Sequence, residues 1–183
     1  MADYFTQVVV QPTIPYGDMT PLERLILPLV YDSDEEEGGI YFYSETGPAD
    51  NITLDRDDLE KALAASERES SLSETIAEQL AAHAPDDAII ELDLSGGSSD
   101  FIFQDIVRRS ATLKYVTIVA AFTCSRMRSD GFGGAATLIT ADAILGKSTT
   151  NILEDFLAET GLDQPDDPPT PSTDENNAQP ATK

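Results

Sequence analysis

Residues 113–140 read LKYVTIVAAFTCSRMRSDGFGGAATLIT, and the fold class turns on them. From Val116 onward the alternate positions Ile118, Ala120, Phe122 and Cys124 are all apolar. Tyr115, Thr117, Val119 and Ala121 leave the other side half apolar, so the segment reads as a central strand covered on both faces. The Asp130-Gly131 pair, with Gly133 and Gly134 close behind, supplies the positive-φ freedom of a tight turn. Ala135 to Thr140 then returns as the second arm of a hairpin. Hairpin strands with helices laid on them make an α+β domain with a mixed or mainly antiparallel sheet.

Further strands are expected at Tyr4–Gln11, at Ile40–Tyr43 and at Ala88–Leu94. In the last of these Ala88, Ile90, Leu92 and Leu94 face inward, and Glu91 and Asp93 face out. Thr20-Pro21-Leu22-Glu23 is a capping box with proline in the first turn, opening a helix that Pro28 keeps short. Asp55 can cap a helix to about Ala65, and Ser71-Leu72-Ser73-Glu74 opens another that ends near His83. Ser99 to Ser110 buries Ile102, Phe103, Ile106 and Val107, with Asp100 and Arg108-Arg109 at the ends the helix dipole favours. A final helix starts near Thr150 or Asn151, turns Ile152, Leu153, Phe156 and Leu157 to one side, and stops at Gly161. These elements form one domain over residues 1–162. Residues 163–183, DQPDDPPTPSTDENNAQPATK, are acidic, proline-rich and free of large apolar groups, the composition of a disordered tail.

Charge is the outlying property. Eleven Lys and Arg stand against 34 Asp and Glu, a formal −23. Residues 1–100 carry 4 basic and 23 acidic groups, whereas residues 101–147 carry 6 and 3. Such a field repels nucleic acid and anionic membranes and attracts a basic protein partner. No apolar run is long enough to cross a bilayer, and the start MADYFTQVVV lacks a basic region and a cleavage site, so a cytoplasmic protein is expected. The single cysteine, Cys124, permits neither an intrachain disulfide nor a cysteine metal cage.

Four patterns invite a chemical reading. The run Asp32, Asp34, Glu35, Glu36, Glu37 fails as a calcium loop, because its sixth position is Glu37 and its twelfth is Tyr43. It reads instead as a solvated acidic turn and, with Asp55, Asp57 and Asp58, as an acidic interaction surface. Residues 141–148, ADAILGKS, match a phosphate-binding loop only with alanine in place of the first glycine. Asp142 would repel phosphate, and the four residues before Gly146 lack the glycine that such a backbone path needs. Arg126, Arg128, Gly131, Gly133 and Lys147 could together cradle an anion. His83 and Cys124 have no evident partners, so no catalytic residue, metal or cofactor is assigned.

The expected function is therefore a non-enzymatic acidic interaction protein. A nucleic-acid mimic inhibiting a basic nucleic-acid-binding partner is its sharpest form, similar in size and charge to small inhibitors of restriction or CRISPR systems. The alternatives are an acidic accessory protein of a salt-adapted proteome, and a small nucleotide- or anion-binding enzyme using Gly146-Lys147-Ser148.

Overall fold

The computed structural model describes residues 2–66, 70–95, 99–128 and 130–162. Strand β1 (Tyr4–Gln11) and the two-residue β2 (Ile14–Pro15) lead to helix α1 (Pro21–Val30), strand β3 (Asp32–Glu36) and strand β4 (Gly39–Ser44). Strand β5 (Asn51–Asp55), helices α2 (Arg56–Ala65) and α3 (Ser71–Ala82), and strand β6 (Ile89–Asp93) follow. Helix α4 (Ser99–Arg109), strands β7 (Tyr115–Cys124), β8 (Gly133–Thr140) and β9 (Ile144–Ser148), and helix α5 (Thr149–Thr160) complete the domain. The fold is α+β with every strand pairing antiparallel. The expected tail, residues 163–183, lies outside the described residues.

The hairpin of residues 113–140 is the centre of the large sheet. β7 pairs with β8 from Tyr115↔Thr140 to Phe122↔Gly133, and with β1 from Tyr4↔Cys124 to Gln11↔Thr117. Tyr43 of β4 is paired with both Val9 and Asp32, so β1 and β3 lie on opposite edges of β4. The sheet therefore runs from β3 through β4, β1 with β2, β7 and β8 to β9. A second, two-stranded sheet joins β5 to β6.

Helix α4 packs on one face of the large sheet. Val8, Val10, Phe42, Val116 and Ile139 point to that side and are buried with Phe103 and Ile106 of α4. Tyr31, Phe42 and Phe103 meet there with ring centroids 5.9 to 6.2 Å apart in tilted and edge-on geometries, the arrangement that ring quadrupoles favour. Among the described residues the other face of β7 is bare: Tyr115, Val119 and Ala121 are exposed, which corrects the expectation of cover on both sides.

Local sequence accounts for the helix starts. Thr20 accepts from the Glu23 amide while the Glu23 carboxylate accepts from the Thr20 amide, a complete capping box. Pro28 does not end α1, as the sequence had suggested. The helix continues to Val30 because Leu22, Ile26, Leu27 and Val30 are all buried, and that packing outweighs one missing hydrogen bond. Ser70 caps α3 one residue before the position expected, and Ser148 caps α5 two or three residues before it. Gly161 ends α5 in the left-handed conformation at φ 71°.

A buried ion pair ties α1 to α4. The Glu23 side chain is fully buried, and Arg109 Nη2 lies 2.6 Å from both of its oxygens. Ser110, just past α4, donates to Asp18 at 2.6 Å, and Asp105 accepts from the backbone and side chain of Ser71 at 2.8 Å each. α4 is thus fastened to the segment before α1 and to the start of α3.

Candidate functional site

The acidic run is a strand, not a turn. Asp32, Ser33, Asp34, Glu35 and Glu36 pair with Tyr43, Phe42, Tyr41, Ile40 and Gly39, and only Glu37-Gly38 forms the connection, with Gly38 at φ 84°. Asp and Glu disfavour strands, so β3 exists through its partner IYFY rather than through its own propensity. It is an edge strand with β4 as its sole ladder partner among the described residues.

Alternation divides the carboxylates. Asp32, Asp34 and Glu36 point to the bare side with Tyr41 and Tyr43, spaced about 6.8 Å apart by strand geometry. Glu35 lies on the opposite side, and all four are exposed. Glu36 accepts from the Thr13 hydroxyl, and no ion pair engages Asp32, Asp34, Glu35 or Glu36 among the described residues. The field is felt locally: Asp34, followed by desolvation, Asp32 and Glu45, raises the Tyr43 phenol above its ordinary value.

Asp55, Asp57 and Asp58 belong to a second group on the small sheet. Asp55 caps α2 by accepting from the Asp57 amide at 2.9 Å, and Asp57 and Asp58 sit in the first turn, where the dipole favours anions. Arg56 draws the 84–87 loop against this helix start, donating to the carbonyls of Asp87 and Ala84 at 2.6 Å each. Asp86, Asp87, Glu91 and Asp93 thereby join the same exposed side. Alternation in β6 already marked Glu91 and Asp93 as outward. The cross-chain tie through Arg56 left no signal in the sequence.

The candidate anion-binding residues are largely occupied within the chain. Arg128 donates to Asp130 at 3.1 Å, and Lys147 donates to Asp155 at 2.5 Å; each carboxylate raises its cation's pKa. The Gly131 amide donates to the Arg128 carbonyl, and a Cβ on Gly131 would lie 2.6 Å from Cys124 Cβ, so this glycine packs over the buried thiol. Gly133 sits against Thr149, and Arg126 is exposed at the start of the turn. Gly146, Lys147 and Ser148 lie in β9, not in a loop. Gly146 pairs with Thr137, Lys147 with Ala136 and Ser148 with Ala135, and a strand turns successive amides in opposite directions, away from any common phosphate.

His83 ends α3, with Nε2 3.0 Å from the Glu91 carbonyl and Nδ1 3.7 Å from Asp87. Among the described residues no group of three or more His, Cys, Asp or Glu is placed to hold a metal ion, and no helix is long and apolar enough to cross a membrane. A cavity of about 270 Å³ opens between α1, α3 and α4, lined by Val30, Leu72, Leu94, Phe101 and Ile102 with the hydroxyls of Ser71 and Ser99. The Ser99 hydroxyl is already bonded to the Tyr31 hydroxyl at 2.6 Å. No protein-family model, curated protein or solved structure matches this chain.

Proposed function

We propose that this protein is a non-enzymatic interaction module that engages a basic protein partner along the acidic edge strand β3. The supporting observation is β3 itself: four exposed carboxylates, none in an ion pair among the described residues, on a strand whose outer edge retains unpaired backbone donors and acceptors. A Lys- or Arg-rich extended segment can satisfy both at once. Its main chain adds to the sheet, and its side chains meet the carboxylates at the same two-residue period. In the nucleic-acid-mimic form of this reading, the partner surface is one that otherwise binds phosphates. Asp32, Asp34 and Glu36 then present one charge for each two-base-pair rise of one duplex strand, about 6.8 Å.

The competing reading is that the carboxylates only blunt an open sheet edge against aggregation. A fluorescently labelled, arginine-rich extended peptide separates the two. Under the proposal it binds the wild-type chain in low salt, and the triple variant Asp34→Asn/Glu35→Gln/Glu36→Gln weakens it at least about tenfold. Equal binding by the two proteins would remove β3 from the interaction. Under the blunting reading the variant instead aggregates and shows no change in peptide affinity.

A further inference from the structure

We propose that the bare face of the large sheet is a self-association surface that holds a second copy of this chain face to face. The outward residues of β1, β4, β7 and β8 include no Asp, Glu, Lys or Arg, although a quarter of the chain is charged. In their place stand Phe5, Val9, Val119, Ala121, Ala136 and Leu138. Phe5, Val119 and Leu138 are 40%, 46% and 38% exposed, and Leu145 of β9, paired with Leu138, is 60% exposed. On the helix side of the same strands Val10, Val116 and Ile139 are fully buried, and exposure there is confined to Tyr4 and Phe122 near the strand ends. A chain carrying −23 has ample charge to solvate a free sheet face, yet these four strands place none on this side.

Size and charge layout both point to a second copy. Five strands about 4.8 Å apart and about 25 Å long present roughly 600 Å² in projection, near the ~800 Å² per partner of a standard interface. The face is acidic at its β3 edge, through Asp32, Asp34 and Glu36, and at its β9 edge carries Lys147, which is ion-paired with Asp155 of α5. A two-fold axis parallel to the strands and centred on β7 sets the Lys147 edge of each copy toward Tyr43 and Asp32 of the other, because the ladders hold Lys147, Tyr43 and Asp32 at one level. The contact is then isologous and uses both edges. An axis perpendicular to the strands would stack β3 on β3, acid against acid. A basic partner would call for carboxylates inside the patch and a nucleic acid would call for cations, and the centre of the face offers neither. In this arrangement β3 stays at the rim, and each pair of chains displays two acidic edges.

Salt gives the association a distinct signature. Two copies repel through their net charge and meet through an uncharged face, so added salt screens the repulsion and tightens the dimer. Sedimentation equilibrium of the full chain at about 0.05 and about 0.5 M salt tests this. The wild type is expected at twice the monomer mass, with a lower dissociation constant at the higher salt. Val119→Glu places a charge at the centre of the face and is expected to weaken the dimer at least about 100-fold with unchanged circular dichroism. Leu138→Lys reads the same face should Val119→Glu lose its fold. Leu153→Glu, on exposed α5, is expected to leave the dimer intact. A wild-type monomer at about 100 μM, or a dimer lost in Leu153→Glu and retained in Val119→Glu, would overturn the proposal.

Discussion

Replacing Arg109 by Met should unfold more of this protein than any surface change of charge. Arg109 Nη2 lies 2.6 Å from both oxygens of Glu23, whose side chain is fully buried. The remaining donor to Glu23 is the Thr20 amide at 2.8 Å, fixed by the capping box. Without the guanidinium, a buried carboxylate keeps one neutral hydrogen bond, and breaking such a pair costs about 3–5 kcal/mol. That is a large fraction of the ~5–15 kcal/mol that holds a domain folded. The pair is itself imperfect: Arg109 Nε is buried without a partner among the described residues, an omission of about 1–3 kcal/mol. Removing both charges should therefore recover most of the loss. Urea unfolding followed by circular dichroism, over Arg109→Met, Glu23→Gln and the double variant, forms a complete cycle. Arg109→Met is expected to lose at least about 3 kcal/mol, and the double variant to lie within about 1.5 kcal/mol of wild type. A loss below about 1 kcal/mol for Arg109→Met would refute the reasoning, because the carboxylate would then be solvated rather than buried.

Burial first of all raises the Tyr31 phenol to about 12, against an ordinary 10. The unfolded chain releases that proton first, so stability should fall as pH rises from about 10 through about 12, by about 3 kcal/mol in all, and Tyr31→Phe should flatten that slope in alkaline denaturation. Asp34 is the largest cause of the raised Tyr43 phenol, so Asp34→Asn should move one phenol of the ultraviolet tyrosine titration toward its ordinary value; an unchanged curve would place Asp34 away from the ring. Gly39→Ala would put a Cβ 2.5 Å from the Ile14 carbonyl oxygen, a backbone atom that cannot rotate away, and should lower thermal stability by about 1–3 kcal/mol; a neutral result would mean that β2 is free to shift.

The hairpin of residues 113–140 was legible because period two, a β-branched composition and an Asp-Gly turn all agree there. Capping residues read from the sequence placed four helix starts to within two residues for the same local reason, though only the Thr20–Glu23 box formed as expected. What the sequence hid depends on distant partners. DSDEE disfavours a strand by composition and becomes one only against IYFY. NITLD alternates correctly, but its partner IIELD lies more than thirty residues along the chain. ILGKS has the residues of a phosphate loop, and only its pairing with β8 shows that it is an edge. Asp32–Glu37 and Asp55–Asp58 were found as acids, yet their division between two sheets follows from topology, which no local pattern encodes. The uncharged outward face was visible only in part. β7 alone reads as half apolar on that side, and register across β4, β1, β7 and β8 is needed to show that these four strands place no charge there.

The measurement closest to the central claim is affinity capture from a lysate of the native cell at low salt. The wild-type chain is set beside Asp34→Asn/Glu35→Gln/Glu36→Gln, with elution by stepped salt and by competing duplex DNA. One basic protein should be held by the wild type, released by salt, and lost when β3 is neutralised. Its displacement by DNA would mark the mimic form of the interaction. Capture of the same proteins in the same amounts by both chains would contradict a partner site on β3.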